Sequence, residues 1–204
     1  MKKSILFMLY AVFPLFVFAQ NADTILSSAT KNFKKIKCLK SIYNIQLTEN
    51  NNTSSHNGCI ILQGNKYVNY FNGTTIWFNG KTMWTLVKEN EEVTITEPDK
   101  DDLMNSNPYY FLDNYKKDFN AKLTASNTSS YVIQLTPKQN NSEIKKFLIT
   151  LSKANYQPLK FQINSKKNNV TITIKSYESI KSYKTSAFTY DKGKCPEAEI
   201  VDLR

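Results

Sequence analysis

Apolar and polar positions alternate along residues 76–98, and this stretch indicates the fold class. Trp84 and Leu86 are separated by one residue and so lie on the same face of a strand. The alternation of apolar and polar residues resumes after a short polar break. A period of two is typical of a β-strand, because successive side chains point to opposite faces of the sheet. Asn79 and Gly80 lie between two such runs and favour a tight hairpin turn with positive φ at both central residues. The stretch therefore predicts antiparallel hairpins that follow one another along the chain.

The same period recurs along most of the remaining chain, with two helical exceptions. Residues 23–37 place apolar side chains every three or four positions, which predicts an amphipathic helix capped by Asp23. Residues 99–117 combine several acids with Pro108 and predict one or two short helices. Strands are predicted at residues 39–47, 58–62, 67–71, 76–78, 82–87, 93–96, 119–125, 131–136, 145–152, 159–164 and 170–176, with a final extended piece at 186–203. This order predicts a mainly β protein with α elements: a half-closed antiparallel β-barrel of about 11 strands with an N-terminal helix and a short helical insertion.

The first nineteen residues have the pattern of a secretory signal sequence. Lys2 and Lys3 precede an apolar run, and Ala19 provides a small-residue cleavage site. The run is shorter than the ~20 residues that a membrane-spanning helix needs, so cleavage is favoured over a membrane anchor. No cysteine directly follows the cleavage site, so the acceptor of a lipid anchor is missing. We therefore expect a soluble exported protein with a single domain over residues 20–204.

Charge and residue inventory narrow the function classes. The chain has a formal net charge of +10, which becomes +8 when Lys2 and Lys3 are removed. The lysines are scattered along strands and loops, so we expect no nucleic-acid partner. The only histidine, His56, lies in a polar stretch without a recognisable nucleophile, which argues against an enzyme. The chain has three cysteines with no metal-site spacing: Cys38, Cys59 and Cys195. Their odd number allows one disulfide with a spare thiol or no disulfide, and we expect buried free thiols.

A group of acids precedes the helical insertion. Asp99, Asp101 and Asp102 lack the glycine and the terminal glutamate of a calcium-binding loop. Acids are common in the first turn of a helix because they interact favourably with its dipole. We therefore interpret them as a helix cap, and we expect neither a metal nor a cofactor.

The predicted sheet and helices offer more apolar surface than a closed sheet needs. One face of the sheet provides the predicted wall residues Tyr43, Ile45, Ile61, Val68, Tyr70, Trp84 and Leu86. The helix stripe and the insertion provide the predicted lid residues Ile25, Ala29, Phe33, Ile36, Tyr110 and Phe111. If the lid residues fill the barrel permanently they form an ordinary core, whereas a movable lid would leave a concave site for an apolar ligand. Periodicity leaves both possibilities open.

Several motifs occur in an order that resembles the periplasmic lipoprotein carrier protein (LolA) family, in its Bacteroidetes-type form. A turn of the family, D/N-G-K-T-L-W, is similar to GKTMW here, and its T-P-F-x-L-L helix start is similar to NPYYFL. The stretches that carry the resemblance are residues 80–84, 92–96, 107–112, 135–138, 144–147, 188–191 and 199–204. Where the best-studied branch has an arginine that ties the lid shut, this chain has Gly64.

The resemblance implies an open barrel whose helices form a lid over a hydrophobic cavity. It implies carriage of acylated lipoproteins through the periplasm, from an inner-membrane exporter to an outer-membrane acceptor. Each buried methylene of an acyl chain contributes about 0.8 kcal/mol, so such cargo needs a shield in water. We expect a monomer. The alternative on the same fold is a lipid or lipoprotein sensing module, while an anchored outer-membrane receptor is disfavoured by the missing acylation cysteine.

Overall fold

The computed structural model of the chain describes residues 21–50, 52–140 and 142–204. The predicted signal sequence over residues 1–19 lies outside the described residues. In the described part of the chain, no helix combines the length and the apolar character that crossing a bilayer requires.

Twelve strands of the described residues form one sheet that does not close on itself, which confirms the predicted half-closed barrel. The spatial order is β12-β6-β5-β4-β3-β2-β1-β11-β10-β9-β8-β7. The sheet is antiparallel except that β12 pairs parallel with β6. The strands are β1 (Cys38–Glu49), β2 (Asn52–Gln63), β3 (Lys66–Phe71), β4 (Thr74–Phe78), β5 (Met83–Val87), β6 (Glu92–Thr96), β7 (Phe119–Ser126), β8 (Ser130–Pro137), β9 (Ile144–Ser152), β10 (Pro158–Ser165), β11 (Asn169–Ile180) and β12 (Glu199–Asp202).

Two Asn-Gly pairs end strands in different ways. Asn72 and Gly73 both have positive φ, 47° and 72°, so they form the two-residue turn that joins β3 to β4. The predicted tight turn at Asn79 and Gly80 is wrong, because the connection from β4 to β5 spans residues 79–82. There the Asn79 side chain accepts hydrogen bonds from the backbone N–H groups of Lys81 and Thr82, at 2.9 Å each. These bonds favour the wider loop.

The described residues also form three α-helices: α1 (Ala22–Lys34), α2 (Lys100–Ser106) and α3 (Tyr110–Asp118). The helix α1 is capped by Asn21 and not by Asp23, whose backbone N–H donates to the Asn21 side chain at 3.1 Å. At α2, Asp99 and Asp102 form a reciprocal capping box, which confirms that these acids cap a helix. The predicted helical insertion is therefore confirmed as the pair α2 and α3.

The two faces of the sheet are covered by different parts of the chain. The three helices pack on one face, which we call the inner face, and their apolar residues join those of β1–β5 and β7–β11 in the larger hydrophobic cluster. The other, outer face carries a second cluster over β1–β6, which is covered by residues of the C-terminal segment 181–198. Strands β1–β5 thus contribute to hydrophobic clusters on both faces.

The C-terminal segment is less extended than the sequence predicts. It contains two short 3-10 helices, Thr185–Phe188 and Lys192–Lys194, before it ends in β12. Phe188 is fully buried in the outer cluster, and the Tyr190 ring packs edge-on against Trp77 at 5.6 Å. Cys38, Cys59 and Cys195 are free thiols, of which Cys59 is only half-buried.

Candidate functional site

A cavity of about 520 Å³ lies between the helices and the inner face of the sheet. Its walls are mainly apolar, with polar groups at the turns. The sheet contributes Leu39, Leu62, Tyr67 and Phe78, with Gly64, Asn65 and Gly80 from the turns. The helical side contributes Phe33, Lys34, Ile36, Leu103, Asn107, Tyr109, Tyr110, Asp113 and Asn114. An apolar ligand could therefore be held between the sheet and the helices.

Aromatic rings fill the inner face next to this cavity. Phe111 of α3 stacks on Phe147 of β9 with ring centroids 3.8 Å apart. Tyr109, in the link between α2 and α3, is 1% exposed and packs edge-on against Phe161. Phe33 of α1 stacks on Tyr109 at 5.6 Å. The helices thus occupy much of the half-barrel themselves, and a larger ligand would have to displace them.

Buried hydrogen bonds join α2 to the sheet. Asn69 of β3 donates from its side-chain amide to the Ser106 carbonyl at 2.9 Å and accepts from the Tyr43 hydroxyl at 2.6 Å. The Tyr67 hydroxyl lies 2.5 Å from Ser106 Oγ, which donates to the Asp102 carbonyl. Because the Ser106 proton is already used, the Tyr67 hydroxyl is the donor in that pair. Ser106 is therefore the point at which the insertion is tied to β3.

A second connection lies at the link between α2 and α3. The Tyr109 hydroxyl donates to Ser41 Oγ of β1 at 2.7 Å, and Ser41 Oγ donates to a carbonyl of β11 at 3.0 Å. Burial raises the pKa of Tyr43, Tyr67 and Tyr109 above the ordinary tyrosine range, and their hydrogen bonds only partly oppose this. The hydroxyls therefore stay protonated and can act as donors over the physiological pH range.

Two further hydrogen bonds hold the helices to one another. The Thr30 hydroxyl of α1 donates to the Leu112 carbonyl of α3 at 2.5 Å. The Tyr115 hydroxyl donates to the Asp23 carboxylate at 2.7 Å. These contacts make α1 and α3 one packed unit over the inner face.

The structure does not bring the seven predicted wall residues to one face. Tyr43 and Ile45 lie in the inner cluster. The outer cluster contains four of them: Ile61, Val68, Trp84 and Leu86. Tyr70 lies on the opposite side of β3 from Tyr67 and Asn69, so it points outward, and it is 40% exposed. The single-face assignment is therefore wrong, and none of the seven residues lines the cavity.

The reason is that β1–β5 carry apolar residues on both faces. Ile61 pairs with Lys40 and Val68, whereas its neighbour Ile60 pairs with Ser41 and Asn69 on the inner row. Alternation separates the two rows but does not tell which row faces the helices. The inner position of Tyr43 is shown by its hydroxyl, which donates to Asn69, the residue that binds the Ser106 carbonyl of α2. Its ring lies over Gly58, where an added Cβ would come within 2.3 Å of a ring atom.

The predicted lid residues all lie on the inner side. Phe33, Ile36 and Tyr110 line the cavity. Ile25, Ala29 and Phe111 are buried in the inner cluster beneath them. The helical residues therefore share one location, although their movement as a lid stays a prediction.

Sequence reasoning missed the sheet residues that do line the cavity, Leu39, Leu62, Tyr67 and Phe78. It also missed Asn69, which is 3% exposed. An asparagine inside the run KYVNYF is a usable signal, since a buried amide needs hydrogen-bond partners. Among the described residues, no group of three or more His, Cys, Asp or Glu side chains is placed to hold a metal ion.

A crystal structure with the same overall fold comes from Thermus thermophilus, an uncharacterized conserved protein. Its TM-score is 0.59 at 10% identity, and the alignment covers 89% of this chain and 98% of that one. A LolA superfamily protein from Nitrosomonas europaea gives a TM-score of 0.45 at 12% identity, over 84% and 99% of the two chains. A putative outer membrane lipoprotein-sorting protein domain from Vibrio parahaemolyticus gives 0.47 at 14% identity, over 83% and 97%. No curated protein matches the chain significantly by sequence.

The sequence also matches a family model, that of the outer membrane lipoprotein carrier protein LolA, over residues 17–167. The match covers the three helices and the strands β1–β10. The chain therefore belongs to the LolA family of outer membrane lipoprotein carrier proteins.

Proposed function

We propose that this protein carries acylated lipoproteins through the periplasm and shields their acyl chains in the cavity under the helices. The observation that carries this proposal is the apolar cavity between a fixed sheet and a separately packed set of helices. The side chains around the cavity offer apolar contact and no nucleophile paired with a base. Binding without chemical turnover fits such a site, so the protein is not proposed as an enzyme.

The size of the cavity limits what the closed form holds. A methylene group is similar in size to a water molecule, whose share of liquid volume is ~30 Å³. The cavity of about 520 Å³ therefore has room for ~17 such groups, which is one acyl chain. A cargo with three chains needs the space that Phe33, Tyr109 and Phe111 now occupy. Loading would then require the helices to move away from the inner face.

The same residues would set how tightly cargo is held. Each acyl methylene gains about 0.8 kcal/mol on burial. The aromatic side chains of the lid gain a comparable free energy when they return to the inner face, so lid and cargo compete for one apolar surface. Such competition makes binding moderate and release possible. Ser106, held by Tyr67 and Asn69, provides the closing contact in a chain that has Gly64 at the position of the family's arginine.

The remaining parts of the proposal follow from carriage. The N-terminal signal would place the protein in the periplasm as a soluble monomer. An inner-membrane exporter would supply the lipoprotein, and an outer-membrane acceptor would receive it. These partners would be recognised by surfaces outside the cavity.

The test is mass spectrometry of what copurifies with the exported protein from its native periplasm. Two neighbouring variants on β2 provide the comparison. Leu62→Trp extends a ring into the cavity, whereas Ile61→Trp adds the same bulk to the outer cluster. We expect intact acylated lipoproteins with the wild type and with Ile61→Trp, and their loss with Leu62→Trp.

Other outcomes have definite meanings. Free lipid without lipoprotein would favour a lipid-sensing module on the same fold. An empty wild-type protein, or equal loss of cargo in the two variants, would contradict carriage in this cavity. Thermal unfolding of each variant shows whether it is folded before its cargo is compared.

A further inference from the structure

The solvent-exposed surface of α1 and α3, which we call the basic surface, is rich in lysine. Six exposed lysines lie on these two helices or directly after α1: Lys31, Lys34, Lys35, Lys37, Lys116 and Lys117. A groove of about 460 Å³ runs between the helices and is lined by Lys31, Lys34 and Lys116 together with hydroxyl groups of Ser27, Thr30 and Tyr115. The surface is therefore a continuous feature of two elements and not a chance neighbourhood of one loop.

The carboxylates of the same two helices are already engaged. Asp113 pairs with Lys34 at 2.8 Å, and Asp23 accepts the hydrogen bond from Tyr115. Asp118 pairs with Lys100 of α2. The other five lysines take part in none of the ion pairs found among the described residues. The surface thus keeps a large positive excess.

The helices α1 and α3 contact one another at two places. Lys34, in the last turn of α1, pairs with Asp113 in the first turn of α3, while Asp23 at the start of α1 accepts a hydrogen bond from Tyr115. Lys31 and Lys34 in the last turn of α1 and Lys116 in the last turn of α3 line one groove. Their interaction with the helix dipoles explains a preference for these turns. It does not explain Lys35 and Lys37, which follow the end of α1.

The basic surface borders the cavity. Lys34 and Asp113 line both the groove and the cavity, so the cavity opens beside the surface. All six basic residues are lysines, whose compact charge suits diffuse attraction to many phosphates more than the bidentate recognition that arginine provides. An extended, lysine-only surface fits a plane of anionic headgroups better than a single anionic ligand.

We propose that the basic surface of α1 and α3 docks on the anionic headgroups of a phospholipid bilayer and presents the cavity mouth to the lipid. The biological role of this docking rests on the proposed carrier function, but the docking itself needs no cargo. Each lysine near the headgroups strengthens binding about fivefold. Salt weakens the attraction, because the Debye length falls to ~3 Å at ~1 M ionic strength.

The experiment is vesicle flotation with the purified exported protein. Phosphatidylglycerol vesicles are compared with phosphatidylcholine vesicles at low salt and at ~1 M salt. The test variant combines Lys31→Gln, Lys35→Gln, Lys116→Gln and Lys117→Gln. The control removes the same charge from exposed lysines elsewhere, with Lys145→Gln, Lys167→Gln, Lys181→Gln and Lys192→Gln.

We expect wild type and control to bind the anionic vesicles at low salt and to detach at high salt. If two or three of the four lysines reach the headgroups at once, the test variant should bind ~30- to ~150-fold more weakly than the control. Equal weakening in the two variants, or no binding of the wild type to anionic vesicles, would overturn the proposal.

Titration with a fluorescent fatty acid in solution separates this proposal from the carrier function. The four lysines of the test variant lie outside the cavity lining, so its affinity for the fatty acid should equal that of the wild type. Vesicle docking without fatty-acid binding would contradict the carrier proposal and leave the docking surface in place. Fatty-acid binding without vesicle docking would contradict the docking surface and leave the carrier proposal in place.

Discussion

The hydrogen bond between Tyr67 and Ser106 offers a direct test of whether the helices open as a lid. Tyr67→Phe removes one hydroxyl and leaves the ring, which packs at 5.3 Å from Phe78. Ser106 Oγ still donates to the Asp102 carbonyl at 2.6 Å, so α2 keeps its internal hydrogen bond. The substitution therefore weakens one contact between the sheet and α2 and changes little else.

The expected magnitude follows from the net value of one buried hydrogen bond, ~0.5–1.5 kcal/mol. If that bond is broken in the open form, the ratio of open to closed molecules should rise ~2- to ~13-fold in Tyr67→Phe. Asn69 still holds the Ser106 carbonyl at 2.9 Å, so the closed form should stay predominant.

The assay is native-state hydrogen exchange of the α2 amides, together with the rate at which a fluorescent fatty acid enters. Both should increase by the same factor, because both report the open fraction. Tyr190→Phe is the matched control: its hydroxyl donates to the Cys195 carbonyl at 3.2 Å on the outer face. That variant should lower global stability slightly without faster exchange in α2. Unchanged α2 exchange in Tyr67→Phe, or the same increase in both variants, would refute the reasoning.

Three further predictions test the lid, the outer face and the buried tyrosines. Phe33→Glu places a carboxylate against the Tyr109 ring, so uptake of an apolar dye should rise while circular dichroism stays that of a folded β protein; an unfolded variant would indicate a fixed core. Trp84→Ala should lower the free energy of unfolding by ~2 kcal/mol, since the side chain is half-buried, and leave fatty-acid affinity unchanged; weaker binding would return Trp84 to the cavity wall. Burial raises the pKa of Tyr67 and Tyr109 in the folded state, so their contribution to stability is fully present below the unfolded value of about 10 and is lost as pH rises above it. Urea unfolding at alkaline pH should show this fall, and it should be shallower in a Tyr67→Phe, Tyr109→Phe double variant; an identical slope would contradict it.

The sequence predicts the elements of this fold better than their ends. The period of two locates the strands because β1–β11 each bury residues on at least one face. The boundary errors come from local polar contacts. The polar stretch 49–57 suggests a loop, but β1 extends to Glu49 and β2 begins at Asn52. Side-chain hydrogen bonds of Asn44 with Ser55 and Asn57 join the two strands there. Asn21 caps α1 in place of Asp23 for a similar reason, since either side chain can accept the bond.

The lid was easier to predict than the wall. A helix with one apolar stripe has one way to face the sheet, and Phe33, Ile36 and Tyr110 reach the cavity as their stripe requires. A strand with apolar residues on both sides can turn either row of side chains toward the helices. Which row faces inward depends on the C-terminal segment, whose Phe188 covers the row of Val68. That contact joins residues 120 positions apart and leaves no trace in local periodicity.

The outer cluster also gives a physical reason why the inner face could release its helices without unfolding the sheet. Strands β1–β6 are packed on their outer side by Phe188, Tyr190 and Ala198, and β12 adds backbone hydrogen bonds to β6. A sheet that relied on the helices alone would lose its only apolar contacts when they moved. In the proposed carriage cycle, the outer apolar contacts of β1–β6 would persist while contacts of the inner face would be exchanged for acyl chains. The C-terminal residues of this second cluster, Phe188, Cys195 and Ala198, lie beyond the family match over residues 17–167, and their packing keeps the outer side of β1–β6 buried whatever covers the inner face.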